Sequence, residues 1–195
     1  MAKWSTLVID VQQTERLNMR IGVTILTVAA VGVCFLTLTW NPKEKFIWNR
    51  THSAPIGLYW LSDGPYKQSD WVIVSANNAD AQWAEKQGYV GRDWPLVKQV
   101  FALPGDTICR DGVQISINGE RVSVAKLRDQ TGRALPRWSG CVTLKADQVF
   151  LLNKHPDSLD GRYFGPTQKD DLMGRAHKVE LFSRRGSADE AILEK

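Results

Sequence analysis

The chain has 195 residues, with 25 Lys and Arg against 21 Asp and Glu and a formal net charge of +4. That length holds one core plus an appendage and excludes two full domains with separate cores. The basic residues are scattered and never alternate with aromatics in a run, so the positive balance reads as a solvated surface, and no nucleic-acid partner is expected.

Residues 1–20 read as a polar tail. Residues 21–40, IGVTILTVAAVGVCFLTLTW, contain no charge and only four threonines among their polar groups. At about 1.5 Å per residue such a helix is about 30 Å long, the thickness of a bilayer's hydrocarbon core. A cleavable signal sequence would have a shorter apolar region, about 7–15 residues, ending in small residues. This one runs into TLTWNPKEK, so an uncleaved anchor in a lipid bilayer is expected. Lys3, Arg16 and Arg20 before it balance Lys43, Lys45 and Arg50 after it, which leaves the orientation undecided by charge. Residues 41–50 read as a juxtamembrane connector, with Trp40 and Trp48 suited to the interface.

From residue 51 to about 182 the pattern is mainly β. DWVIVSA (70–76), PLVKQVFAL (95–103), DQVFLLN (147–153) and AHKVELF (176–182) read as strands. GVQISINGERVSV (112–124) alternates Val113, Ile115 and Ile117, breaks at Asn118-Gly119, and resumes at Val122 and Val124. That spacing predicts a hairpin closed by a two-residue type I′ turn. NADAQWAEKQGY (78–89) reads as a short helix capped by asparagine and stopped near Gly88. Residues 183–195 are polar and charged and read as a loose tail.

No H-E-x-x-H or C-x-x-C occurs and the three histidines are far apart in sequence, so neither a metal nor a cofactor is expected. Cys34 falls in the anchor, leaving Cys109 and Cys141 as a pair in the soluble part. If bridged they would close a loop worth roughly 3–4 kcal/mol and suit an oxidising compartment; two buried thiols are the alternative. His155 lies near Asp157 and Asp160, which keeps a histidine-based triad open. His52 adjoins Ser53, but neighbours in an extended chain point to opposite faces.

Three stretches carry other chemistry. THSAPIGLYW sets Ser53 and Pro55 at the start of an apolar run soon after the anchor. In LVKQVFALPGD, alternation puts Lys98 on a face with Val100 and Ala102. A lysine so buried loses its proton more readily than its usual pKa of about 10.4 allows; a lysine reaching the surface is the alternative. In DSLDGRYFGPT an extended segment would put Ser158, Asp160 and Arg162 on one face, and a salt-bridged loop is the alternative.

In this order the stretches resemble the serine, lysine and D-S-R-x-x-G motifs of the type I signal peptidases. The matching residues are Ser53 with Pro55, Lys98 with Pro104-Gly105-Asp106, and Asp160-Gly161-Arg162-Tyr163-Phe164-Gly165. SAPIGLYWL, LPGDTIC, INGERV, GRALPRWSGC and RYFGP are closer still to the conjugative-transfer branch of that family, over about residues 50–180. Gly161 departs from a common serine, Ala102 from a common glycine and Gln99 from a common basic residue.

The resemblance implies a mainly β, signal-peptidase-like protease domain held by one transmembrane helix on the periplasmic face of a bacterial inner membrane. It implies Ser53 as nucleophile, Lys98 as general base and Asp160 as the acid matched to activity in the conjugative branch. Thr51 would be an oxyanion donor, Ser158 would orient Lys98, and Arg162 would fix the segment. The implied substrate is a membrane-anchored pilin precursor bound along a strand edge, with conjugation and secretion-channel proteins as further partners. A general signal peptidase and a non-catalytic scaffold of the secretion channel are the competing readings.

Overall fold

The computed structural model describes residues 19–36 and 45–180. Residues 1–18 of the expected N-terminal tail, the end of the expected anchor with Trp40, residues 41–44 of the expected connector and the C-terminal tail lie outside the described residues. Helix α1 (Met19–Leu36) has a mean hydropathy of 2.1 and exposed side chains, and is long and apolar enough to cross a membrane. It begins two residues before the expected anchor. Thr24 and Thr27 donate their hydroxyls to the Arg20 and Val23 carbonyls at 2.8 Å, so these polar groups are satisfied within the helix and tolerated in an apolar span.

The β part is a unit by itself, built from two antiparallel sheets. In chain order the strands are β1 (Phe46–Asn49), β2 (Gly57–Ser62), β3 (Trp71–Val74), β4 (Leu96–Ala102), β5 (Thr107–Asp111) and β6 (Gln114–Ile117). They continue with β7 (Glu120–Val124), β8 (Gly140–Thr143), β9 (Gln148–Leu152), β10 (Thr167–Gln168) and β11 (Leu172–Lys178). A larger sheet runs β1-β2-β11-β3-β4-β9-β10 and a smaller one β7-β6-β5-β8. A mainly β fold is what the alternating segments call for.

Residues 46–49, expected as connector, instead form β1. Ile47 and Asn49 point inward while Phe46 and Trp48 stay exposed, a period-2 pattern that the apolar neighbourhood of Trp48 disguised in sequence. The hairpin forms as expected. Asn118 and Gly119 have φ of 51° and 85°, and Ile117 pairs with Glu120 across them, which is the two-residue turn with both φ positive. Helix α2 (Ala79–Lys86) is opened by Asn78, whose side chain accepts the Asp80 and Ala81 N–H groups.

Strand β11 starts at Leu172, earlier than expected, because Gly174 hides it. A register shift falls between Leu172 and Gly174. A Cβ on Gly174 would sit 3.0 Å from the Ser62 carbonyl oxygen, at φ +149°, so only glycine passes here. Cys109 and Cys141 lie directly opposite each other on β5 and β8, and their sulfurs are bonded.

Two clusters fill the larger sheet. One gathers Ile47, Ala54, Tyr59, Leu61, Ile73, Val97 and Ala176, and the other packs Val72, Val74, Leu96, Val100, Val149 and Leu151 with Ala81. A third joins Ala102, Phe150 and Leu152 to Ile108, Ile115 and Leu144. It welds the smaller sheet to β4 and β9, the strands nearest the candidate site.

Candidate active site

Ser53 sits in a turn between β1 and β2, gripped from both sides. The Ala54 methyl is buried in the first cluster, and the buried Tyr59 donates its hydroxyl to the Pro55 carbonyl at 2.6 Å. Asn49, at the end of β1, donates its amide nitrogen to the Thr51, Ala54 and Pro55 carbonyls at 3.0, 3.1 and 3.1 Å. Its oxygen accepts the Thr51 N–H and hydroxyl. The Thr51 Oγ1 in turn lies 3.3 Å from Ser53 Oγ. The rigid turn therefore leaves Ser53 half-exposed with its hydroxyl held by a neighbour.

Lys98 lies on β4, opposite Val72 of β3. Only 5% of it is exposed. Burial alternates as expected, with Lys98, Val100 and Ala102 buried and Gln99 and Phe101 half-buried between them, and a bulge falls between Val100 and Ala102. Burial pushes the lysine down from 10.5 to about 8; nearby Asp160 opposes this and Arg162 reinforces it. Desolvation of the cation is the dominant cause. The Lys98 Nζ donates to Ser158 Oγ at 3.1 Å, and Ser158 is itself buried.

Asn153, just past β9, brackets the lysine. It donates Nδ2 to the Val97 carbonyl and accepts the Gln99 N–H on Oδ1, at 3.0 and 3.1 Å. Gln99, the departure from a basic residue, donates its side chain to the Ser69 carbonyl. Asn153 also donates its backbone N–H to Asp160, tying the strand to the third motif.

That motif is not extended. Asp160 caps a short helix, α3 (Gly161–Phe164), accepting the Arg162 N–H, so the expectation of one face with alternate side chains is corrected. The carboxylate favours the turn because it binds the Arg162 guanidinium as a fork, at 2.9 Å to Nε and 2.7 Å to Nη2. Both partners are almost fully buried. The guanidinium also donates to the Asn153, His155 and Ser158 carbonyls, folding residues 153–158 around itself. Ser158, Asp160 and Arg162 are thus brought together by a hub rather than by a strand face.

Gly161 has a steric reason to differ from serine. A Cβ there would meet Phe150 at 2.6 Å and the Leu151 carbonyl oxygen at 2.8 Å. From the smaller sheet, the buried Arg110 donates to the Arg162 carbonyl at 2.5 Å, and Trp138 donates to the Gly161 carbonyl at 3.0 Å.

Thr51, Ser53, Lys98 and Ser158 all line one cavity of about 850 Å³, walled by β1 and by the start of β4. Ser53 also borders a second cavity of about 670 Å³ with His52 and His155. His155 Nδ1 accepts the Asp157 N–H at 3.2 Å, while Asp160 is occupied by Arg162 and Asn153. Asn49 and Asn153 escaped the sequence reading. Asn49 carried one signal, an asparagine two residues before the backbone N–H it accepts, the pattern of an Asx turn.

A hydroxyl-bearing turn and a buried lysine of lowered pKa thus border one cavity of a β domain. The sequence matches the family model described as signal peptidase, peptidase S26, over residues 18–180, and the chain belongs to that family. It is 32% identical over 174 residues to a probable conjugal transfer protein TraF of Sinorhizobium fredii (strain NBRC 101917 / NGR234), covering 84% of this chain and 89% of that one. A plasmid transfer protein TraF of Escherichia coli is 32% identical, over 64% of this chain and 77% of its own length. A conjugal transfer protein TraF of Agrobacterium fabrum (strain C58 / ATCC 33970) is 34% identical, over 69% and 81%. A crystal structure of a signal peptidase I from Enterococcus faecalis V583 aligns with 58% of this chain and 98% of its own, at 18% identity and a TM-score of 0.34.

Proposed function

We propose that this protein is a membrane-anchored serine endopeptidase that processes a pilin precursor for conjugative transfer, through an acyl-enzyme on Ser53 with Lys98 as general base. The observation that carries the reading is the buried Lys98, lowered to about 8, on the same cavity as Ser53. The names of the TraF relatives supply the conjugative setting.

In this reading Lys98, in its neutral form, donates an N–H to Ser158 and keeps its lone pair for the serine proton. Ser53 Oγ attacks the substrate carbonyl as its proton passes to Lys98. The peptide C–N bond then breaks, and the new ammonium returns that proton to the leaving amine. The Ser53 N–H and the Thr51 hydroxyl hold the oxyanion, each such donor being worth about 10²–10³ in rate. Asp160 and Arg162 fix the segment that carries Ser158. The ester is then split by water, releasing a linear subunit, or by the substrate's own amino terminus, releasing a cyclic one.

The substrate lies extended along the free edge of β1, with main-chain hydrogen bonds for affinity. The anchor is α1, and the catalytic domain faces the periplasm of a bacterial inner membrane. The Cys109 to Cys141 bond supports that oxidising side.

The test is mass spectrometry of the pilin precursor encoded beside this protein, co-expressed with wild type, Ser53→Ala, Lys98→Ala and His155→Ala. Processing is expected to vanish in the serine and lysine variants and to survive in the histidine variant. A product lighter by one further water is cyclic. Loss with His155→Ala and survival with Lys98→Ala would make histidine the base, and processing in all four would return the chain to a scaffold role.

A further inference from the structure

Asn49 belongs to none of the three motifs, yet its side chain makes five hydrogen bonds within the Ser53 turn. It is 5% exposed. Its Nδ2 faces three carbonyl oxygens, which can only accept, so nitrogen rather than oxygen must stand there, and the amide's orientation is fixed by chemistry. Oδ1 then faces the Thr51 N–H at 3.1 Å and the Thr51 hydroxyl at 2.9 Å. An amide oxygen has no proton to give. The single Thr51 hydroxyl proton is therefore committed to Asn49, and Thr51 presents a lone pair to Ser53 Oγ, 3.3 Å away. The proton in that last contact comes from Ser53.

We propose that Asn49 is a positioning residue for the nucleophile: it fixes the turn over residues 51–55 and sets the donation from Ser53 through Thr51 to its own Oδ1. The proposal rests on Ser53 being the nucleophile. The resting Thr51 hydroxyl is turned away from any oxyanion, with the Ser53 proton directed at it. One rotation of that hydroxyl serves both needs of acylation: it delivers a donor to the developing oxyanion and frees the Ser53 proton for Lys98. The turn holds during this rotation, because the other four Asn49 bonds do not involve the hydroxyl.

The test uses the full chain in detergent and a serine-acylating probe, with the limiting acylation rate and half-saturation measured separately. Asn49→Ala, Thr51→Val and the double variant are compared at equal folded fraction, judged by circular dichroism. Thr51→Val is expected to slow limiting acylation by about 10²-fold, with half-saturation little changed and Thr51→Ser restoring most of the rate. Asn49→Ala is expected to slow it by about tenfold or more, and the double variant no further than the slower single, since contacting groups on one path couple.

A merely structural Asn49 would lower the folded fraction and leave the limiting rate of folded molecules within about twofold. Such a result, or effects that multiply in the double variant, would overturn the proposal. If Asn49→Ala does not fold, Thr51→Val decides alone: a wild-type acylation rate there would overturn the relay. If wild type is not labelled at Ser53 at all, the nucleophile assignment falls, and the role of Asn49 with it.

Discussion

Replacing Lys98 with methionine separates the lysine's chemical use from its structural cost. The methionine fills nearly the same space without a charge. Lys98 is lowered in the folded chain from 10.5 to about 8 by burial. At about 1.36 kcal/mol per unit, protonated Lys98 costs about 3 kcal/mol of stability at pH 7. The Ser158 hydrogen bond, 3.1 Å long, offsets about 1 kcal/mol of the gain on replacement. Lys98→Met is therefore expected to be more stable than wild type by about 2 kcal/mol at pH 7, while losing acylation. The sign of the pH dependence follows from proton counting. Between about pH 8 and 10.5 the unfolded chain holds more protons on Lys98 than the folded one, so wild-type stability rises relative to the variant across that window and the gap closes. Urea unfolding of both chains, followed by tryptophan fluorescence in one detergent from pH 7 to 10.5, reads the difference. Parallel curves, or a wild type that is the more stable at pH 7, would refute the claim that burial dominates at this lysine.

Acylation of Ser53 should rise about 50-fold from pH 6 to pH 8 and level off above, as the neutral fraction of Lys98 grows; a plateau reached near pH 6.5 would point to histidine instead. Gly161→Ala should destabilise the domain by about 1–3 kcal/mol, since its Cβ has no room beside Phe150 and the Leu151 carbonyl; an unchanged melting temperature would remove the steric account of that glycine. Arg162→Met should cost about 3–5 kcal/mol by leaving the buried Asp160 charge uncompensated, with much of this recovered in the Asp160→Asn, Arg162→Met double variant. In the single variant the acylation profile should also shift to higher pH, because Arg162 lowers the Lys98 pKa and Asp160 raises it.

What the sequence made legible was what recurs locally. The Asn118-Gly119 turn, the asparagine-capped α2 and the apolar length of α1 each follow from backbone preferences that act within a few residues. Strand β1 was hidden because its exposed Phe46 and Trp48 look like interfacial anchors, and β10 because two residues cannot show a period. At the site, chain order was enough to bring forward Ser53, Lys98 and Ser158, which share a cavity. Asn153 was illegible, and Asn49 legible only as an Asx turn, because their work is done by side-chain amides bonded to backbone groups, which no alternation of apolar and polar residues reports. The burial of Lys98 was legible in outline only. A lysine between valine and glutamine gives no measure of how far the strands on either side close over it.

The same limit applies to Asp160, which sequence order alone would leave as an acid beside a lysine. Its two oxygens accept from Arg162 N, Arg162 Nε, Arg162 Nη2 and Asn153 N, which fills the roughly four acceptor positions a carboxylate offers. No position is left for the Lys98 ammonium, whose hydrogen bond goes to Ser158 instead. Asp160 therefore reaches Lys98 only through space, and Arg162 at hydrogen-bond distance from Asp160 acts through the same space with the opposite sign. The two oppose each other, and desolvation is the largest influence on the lysine. An Asp160 without its arginine would stabilise the ammonium further and move the neutral form of Lys98 to higher pH. With it, the acid can anchor the loop that carries Ser158 while leaving the lysine within reach of its neutral form.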